Sequence, residues 1–181
     1  LAHAGHHLTP VAGHEQRGLL EARLLLPDGK ATLSVYVTHL DHKSEAARLQ
    51  QLAAVFQWTT RDRSRPHLLL GDFNALTAAD FQDDQAALER VLADDKLRNL
   101  AADGMDVVAR LQRRGYVDAA ASQPAADGPQ PTYPAHDPLT RIDYIWASTP
   151  LAPCIRTCGV WQTDETATTS DHLPVLAEID L

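Results

Sequence analysis

The sequence predicts a mixed α/β domain, and three local patterns carry that prediction. Residues 31–40 alternate apolar and polar positions, the period of a half-buried strand. Leu49, Leu52, Ala53 and Phe56 fall at i, i+3, i+4 and i+7, the stripe of an amphipathic helix. His67 to Leu70 is a short continuous apolar run, which fits a central strand covered on both faces. Strands and helices mixed along one chain suit sheets layered with helices.

Taken in order, residues 1–18 are polar and rich in glycine and histidine, without periodicity, and are expected to form a loop. Leu19–Leu26 and Ala31–Leu40 are expected strands joined by the turn sequence Pro27-Asp28-Gly29-Lys30. On the second strand Leu33, Val35, Val37 and His39 share a face, so an apolar row ends in an imidazole. A satisfied core histidine is the plainer expectation for His39, and a residue reaching into a cleft is the other. Ser44 can cap a helix running to about Asp62. Further helices are expected at Ala78–Leu92 and Asp106–Arg114, the second closed by Gly115. Ser122–Thr140 is rich in proline and reads as a binding loop or surface excursion, with Tyr133 and His136 as candidate substrate contacts. Arg141–Ala147, Ile155–Trp161 and Leu173–Ile179 complete the expected strands.

The chain has 181 residues, 44% of them hydrophobic, which is enough for one domain with a sizeable core. It has no apolar run long enough to span a bilayer and no visible signal peptide. A formal charge of −8 argues against a broad basic surface for nucleic acid, although carboxylates that hold cations inflate such a count. Cys154 and Cys158 are too far apart on one strand to bridge and are expected to be reduced, which points to the cytoplasm.

Chemistry concentrates in three segments. In Gly71-Asp72-Phe73-Asn74, a continuing strand would put Asp72 and Asn74 on one face, a carboxylate beside an amide oxygen, suited to Mg²⁺. A turn accounts equally well for these residue types. In Arg141-Ile142-Asp143-Tyr144-Ile145, Asp143 alternates against apolar neighbours and needs a partner. In Ser170-Asp171-His172-Leu173-Pro174-Val175, His172 is the natural one, because a carboxylate would fix its tautomer and raise its pKa. His3, His6, His7 and His14 lie in unpatterned sequence without a carboxylate in register and are expected to bind no metal. Arg61, Arg63 and Arg65 suit the C-terminal end of a helix.

These three motifs, in this order and after Thr38-His39-Leu40, resemble the GDFN, RIDYI and SDHxPV motifs of the endonuclease/exonuclease/phosphatase superfamily, whose members include DNase I-like nucleases, sphingomyelinases and inositol polyphosphate 5-phosphatases. The likeness runs from about Gln16 to the C-terminus. It implies a four-layer α/β/β/α sandwich and a phosphoester hydrolase, whether phosphodiesterase, nuclease or phosphatase, dependent on Mg²⁺ or Mn²⁺. It implies that Asp72 and Asn74 orient the attacking water and the phosphate and help hold the metal. Asp171 would bind the metal, and His172, paired with Asp143, would act as general base or stabiliser. His39 would contact the phosphate or assist the leaving group. The family's N-terminal asparagine and metal-binding glutamate have no counterpart here, since Glu15 and Glu21 stand at or after the start of the match. The chain is therefore expected to be the C-terminal portion of a single domain, with exposed sheet edges open to self-association. A catalytically incomplete binding module that retains the motifs is the other expectation.

Overall fold

The computed structural model describes residues 1–26, 29, 31–122 and 129–181. In chain order it contains β1 (His3–Leu8), β2 (Gly18–Leu25), β3 (Thr32–His39), α1 (Glu45–Thr59), β4 (His67–Asp72), α2 (Gln85–Ala93), α3 (Asp106–Arg113), β5 (Tyr116–Asp118), β6 (Asp143–Ser148), β7 (Ile155–Val160), α4 (Thr166–Thr169) and β8 (Val175–Ile179). Strands β1 to β6 form one sheet in the order β1-β2-β3-β4-β6-β5, and β7 pairs with β8 in a second. β3 and β4 run parallel, joined through α1, and every other pairing is antiparallel. Mixed α/β architecture around a central sheet is thus as expected.

Alternation along the strands sorts the core into two sides. Tyr36, Leu69, Tyr144 and Trp146 pack against Leu52, Val55 and Phe56 of α1 and Val107, Val108 and Leu111 of α3. On the opposite face Leu33, Leu68, Ala147, Leu70 and Ile145 meet Ile155, Cys158 and Ile179 of the small sheet. Among the described residues, α1 and α3 thus pack on one face of the central sheet and the small sheet on the other. Leu20 and Leu24 of β2 lie on the small-sheet side yet are 51% and 39% exposed.

Several expectations need correction. The segment expected as a loop at residues 1–18 contains β1, which pairs with β2 from His3↔Arg23 to Leu8↔Gly18. As an edge strand it needs only backbone ladder bonds on one side, so its histidines leave no apolar alternation to read. Two of the N-terminal histidines do find carboxylates: His7 Nε2 of β1 lies 3.1 Å from Glu21, and His14 Nδ1, in the turn after β1, lies 3.1 Å from Asp41. Ser44 caps α1 as expected, its Oγ accepting from the Ala47 amide. The buried stripe, however, is rotated. Ala53 is exposed and Leu49 only partly buried, while Arg48, Gln51, Val55 and Thr59 face inward. Polar residues are admitted there because Arg48 is fully paired, to Glu45 at 2.7 Å and to the Asp41 carbonyl at 3.2 Å. Arg61 does serve the helix end as expected, its Nε donating to the Trp58 carbonyl at 3.1 Å, and it also reaches Glu21 at 2.6 Å.

The short strand β5 escapes a periodicity reading because three residues carry no period. Cys154 and Cys158 are free thiols. Of the turn Pro27-Asp28-Gly29-Lys30 only Gly29 is among the described residues, and residues 123–128 of the proline-rich loop also lie outside them. No helix among the described residues is long and apolar enough to cross a membrane.

Candidate active site

The site is the place where three apolar rows turn polar together. β3 presents Leu33, Val35, Val37 and then His39 on the small-sheet side; β4 presents Leu68, Leu70 and then Asp72; β6, running the other way, begins at Asp143 before Ile145 and Ala147. Register aligns the three ends, with His39 opposite Asp72 and Asp72 opposite Asp143. Three polar side chains therefore stand in a row across adjacent strands, spaced by the sheet itself at about 4.8 Å per strand. Close approach of β3 and β4 at this end depends on Gly71. Its φ is +130°, and a Cβ there would lie 2.0 Å from the Thr38 carbonyl oxygen.

Strand β4 stops at Asp72, so Asn74 is not the next position on its face. Asn74 has φ +47°, a left-handed turn conformation that asparagine tolerates. The turn still brings the pair together. Asp72 Oδ1 accepts from the Asn74 amide at 2.8 Å, and Asn74 Nδ2 donates to the Leu40 carbonyl at 3.1 Å and to Asp72 Oδ2 at 3.3 Å. The turn reading of this motif thus holds, and the same turn brings the carboxylate and the amide side by side. With Nδ2 occupied, Oδ1 is the end of the amide left for a ligand.

The loop before β8 swings His172 over this row. Its Nδ1 lies 2.8 Å from Asp143 Oδ2, the partnership expected from sequence. That loop is tied to residues 132–135 by bonds from Leu173 N to the Thr132 carbonyl and from Ala135 N to the Asp171 carbonyl, both 2.8 Å. Tyr133 lies against the His172 ring with centroids 4.8 Å apart. Thr132, fully buried and without any signal in the sequence, donates from Oγ1 to the same Asp143 oxygen at 2.7 Å. Arg141 anchors the start of β6, forking onto Asp80 at 2.9 and 3.1 Å and reaching Asp118 at 2.6 Å.

Electrostatics follow from crowding carboxylates at one sheet end. Burial, and then the Asp143 charge, push the Asp72 carboxyl up to about 7. The hydrogen bond to Asp143 raises the His172 imidazole above its ordinary value, against the opposing effect of burial. His39 shifts the other way, lowered by desolvation and by the Arg17 guanidinium. Its Nε2 is 3.2 Å from Asp72, and its side chain is 52% exposed, so it is a cleft residue rather than a core histidine. The apolar row ends before it because the cleft begins there.

Ligand atoms of Asp72, Asp143 and His172 all lie within 4.8 Å of one another. Two close carboxylates, one with its pKa pushed up by burial and by the other's charge, form a donor set that a hard divalent cation fits. The cleft above them, about 640 Å³, is also lined by Asn74, His39, Tyr133, Asp171, Arg17, Lys43 and Lys96. Asp171 is exposed and stands outside the tight cluster, and His136 does not line the cleft. Arg17 and Lys96 are further cleft residues with no distinguishing sequence pattern.

Comparison with known proteins agrees with this fold. No curated protein sequence matches the chain. Solved structures with the same fold include a conserved protein of unknown function from Enterococcus faecalis, with TM-score 0.67 and 19% identity over 99% of this chain and 66% of that one. A Neisseria 3′ phosphatase bound to a product DNA hairpin gives TM-score 0.68 and 18% identity over 99% of this chain and 71% of that one. A Bacteroides thetaiotaomicron mannosyl-6-phosphatase gives 0.64 and 16% over 100% and 67%. The chain thus spans about two thirds of the length of these proteins. The sequence profile of the Endonuclease/Exonuclease/phosphatase family matches residues 7–172, starting earlier than the motifs suggest, and the chain belongs to that family.

Proposed function

We propose that this chain carries the catalytic cleft of a phosphoester hydrolase that works with Mg²⁺ or Mn²⁺. The observation that carries the proposal is the three-strand row of His39, Asp72 and Asp143 with His172 closing over it. Oxygen-rich donors favour a hard cation, and Asp72, Asn74 and Asp171 are assigned to hold it. When bound, the ion supplies Lewis acidity toward a phosphoryl oxygen and acidifies a water.

The chain's own residues do the remaining work. Asp72 and Asn74 fix the direction of the attacking water relative to phosphorus. With Nδ1 held by Asp143, His172 turns Nε2 to the cleft, where it accepts the water's proton or donates to the developing charge. His39, kept neutral, offers a hydrogen bond to the phosphate or to the leaving oxygen. Tyr133 forms the wall on which the rest of the substrate rests. The two phosphatases of similar fold support a phosphate ester as substrate, with a phosphodiester or nucleic acid as the other members of the class.

A non-catalytic binding module is the second reading, favoured by Asp171 standing outside the tight cluster. Calorimetric titration with Mn²⁺ separates them. The hydrolase reading expects specific binding that Asp171→Ala weakens at least tenfold; weak binding unaltered by that substitution would overturn it in favour of the module.

A further inference from the structure

Arg17 is the cleft cation whose surroundings leave it free to change partners. It sits at the end of the turn joining β1 and β2, fixed by the bond from Thr9 N to its own carbonyl at 2.9 Å. Its side chain is only 12% exposed, and it lines the cleft that holds Asp72, Asn74 and His172. Its ion-pair partner Glu15, 3.0 Å from Nη2, is 57% exposed. The other contact of Nη2 is His42 Nδ1 at 3.3 Å, and Nε–H is buried without an acceptor.

Such an arrangement is poor as structural cement. A pair whose acid is mostly in water contributes little to stability, and a buried N–H without an acceptor costs. It suits a guanidinium held near the place where an anion arrives and released from a weak partner when it does. Arg17's charge is felt at both His39 and Asp72, which places it beside the row rather than at the rim. Lys43 and Lys96 line the same cleft with exposed, flexible ammonium groups, whereas a guanidinium presents a planar fork that matches two oxygens of one phosphate.

We infer that Arg17 is a phosphate-binding residue, which grips two non-bridging oxygens of the scissile phosphoryl group after exchanging Glu15 for them. This inference rests on the hydrolase reading. It accounts for a feature that reading leaves open, namely how a cleft with carboxylates on its floor accepts an anionic substrate. The carboxylates would hold the cation, and Arg17 would meet the phosphate from the β1–β2 side of the cleft.

The test is equilibrium binding of inorganic phosphate in the presence of Mn²⁺, measured by calorimetry on the full chain, beside hydrolysis of a phosphate ester. Arg17→Gln should weaken phosphate at least tenfold and lower kcat/KM about 100-fold, the scale seen when a single charge-stabilising donor is removed. Arg17→Lys should recover part of both. Glu15→Gln, an exposed change that spares folding, should strengthen phosphate about two- to fivefold by removing the competing partner. Unchanged phosphate affinity in Arg17→Gln, or weaker binding in Glu15→Gln, overturns the inference. Phosphate held through Arg17 by a chain that hydrolyses no ester supports the inference and overturns the hydrolase reading. Full turnover in Arg17→Gln with unchanged affinity does the reverse.

Discussion

Asp72→Asn should stabilise the metal-free protein at neutral pH while removing the carboxylate proposed to hold the metal. Asp72 is a mostly buried carboxyl whose nearest charged neighbour across the strand pair is another carboxylate. Its pKa moves from 3.8 to about 7. Because the folded value is raised, ionisation opposes folding. The penalty is absent below pH 4, grows as pH rises from there, and is complete above about 7. At 1.36 kcal/mol per unit this sets a ceiling of about 4 kcal/mol. Side-chain relaxation toward the cleft takes part of it, leaving about 2 kcal/mol, or about 4–8 °C in Tm for a chain of this size. Asparagine keeps the Oδ1 that accepts from the Asn74 amide, so the turn is retained. Thermal unfolding in chelator at pH 4 and pH 8 reads the effect directly. The variant should match wild type at pH 4 and exceed it at pH 8, and added Mn²⁺ should reverse the ranking by stabilising wild type alone. A variant less stable than wild type at pH 8 in chelator would refute the idea that Asp72 is a carboxylate short of a cation.

Under the proposed metal role, binding should release a proton from the same carboxyl, so Mn²⁺ affinity should fall about tenfold per pH unit below about 7 and level off above it, as checked by calorimetry across pH. Asp143→Asn removes a charge-assisted hydrogen bond of about 1.5–3 kcal/mol, so kcat should drop about 10- to 150-fold. In NMR titrations the His172 pKa should fall; wild-type stability from the pair is full below 6.5 and fades as pH rises through the raised native value. Thr132→Val deletes the second bond to the same oxygen of Asp143 and should lower kcat more than it raises KM, with Thr132→Ser restoring turnover; equal kcat in both variants would count against Thr132 as a positioning residue.

Much of this site is legible in the sequence because β alternation is a rigid rule. Val35, Val37 and His39 on one strand, and Leu68, Leu70 and Asp72 on another, announce a sheet face ending in polar groups. What alternation cannot give is register, since pairing of β4 between β3 and β6 is decided by tertiary packing, and only that pairing sets His39, Asp72 and Asp143 in a row. Asn74 shows the same limit locally: its residue type suits both a turn and a ligand site, and only the backbone shows that a turn sets its side chain against Asp72. Thr132 lies in proline-rich sequence without a period, and what ties it to β6 is tertiary: its Oγ1 accepts from the Ile142 and Asp143 backbone amides and donates to the Asp143 carboxylate. Arg17 and β1 were invisible for a different reason, because an edge strand of histidines and a polar turn bury too little apolar surface to leave a pattern.

The most direct test of the whole account is hydrolysis of a generic phosphodiester and a phosphate monoester by this chain, with Mn²⁺ and with chelator, beside Asp171→Ala and His172→Ala. The account predicts turnover that needs the metal and falls by several orders of magnitude in both variants while their folding is unchanged. Turnover that survives chelation, or that persists near the wild-type rate in either variant, would contradict it.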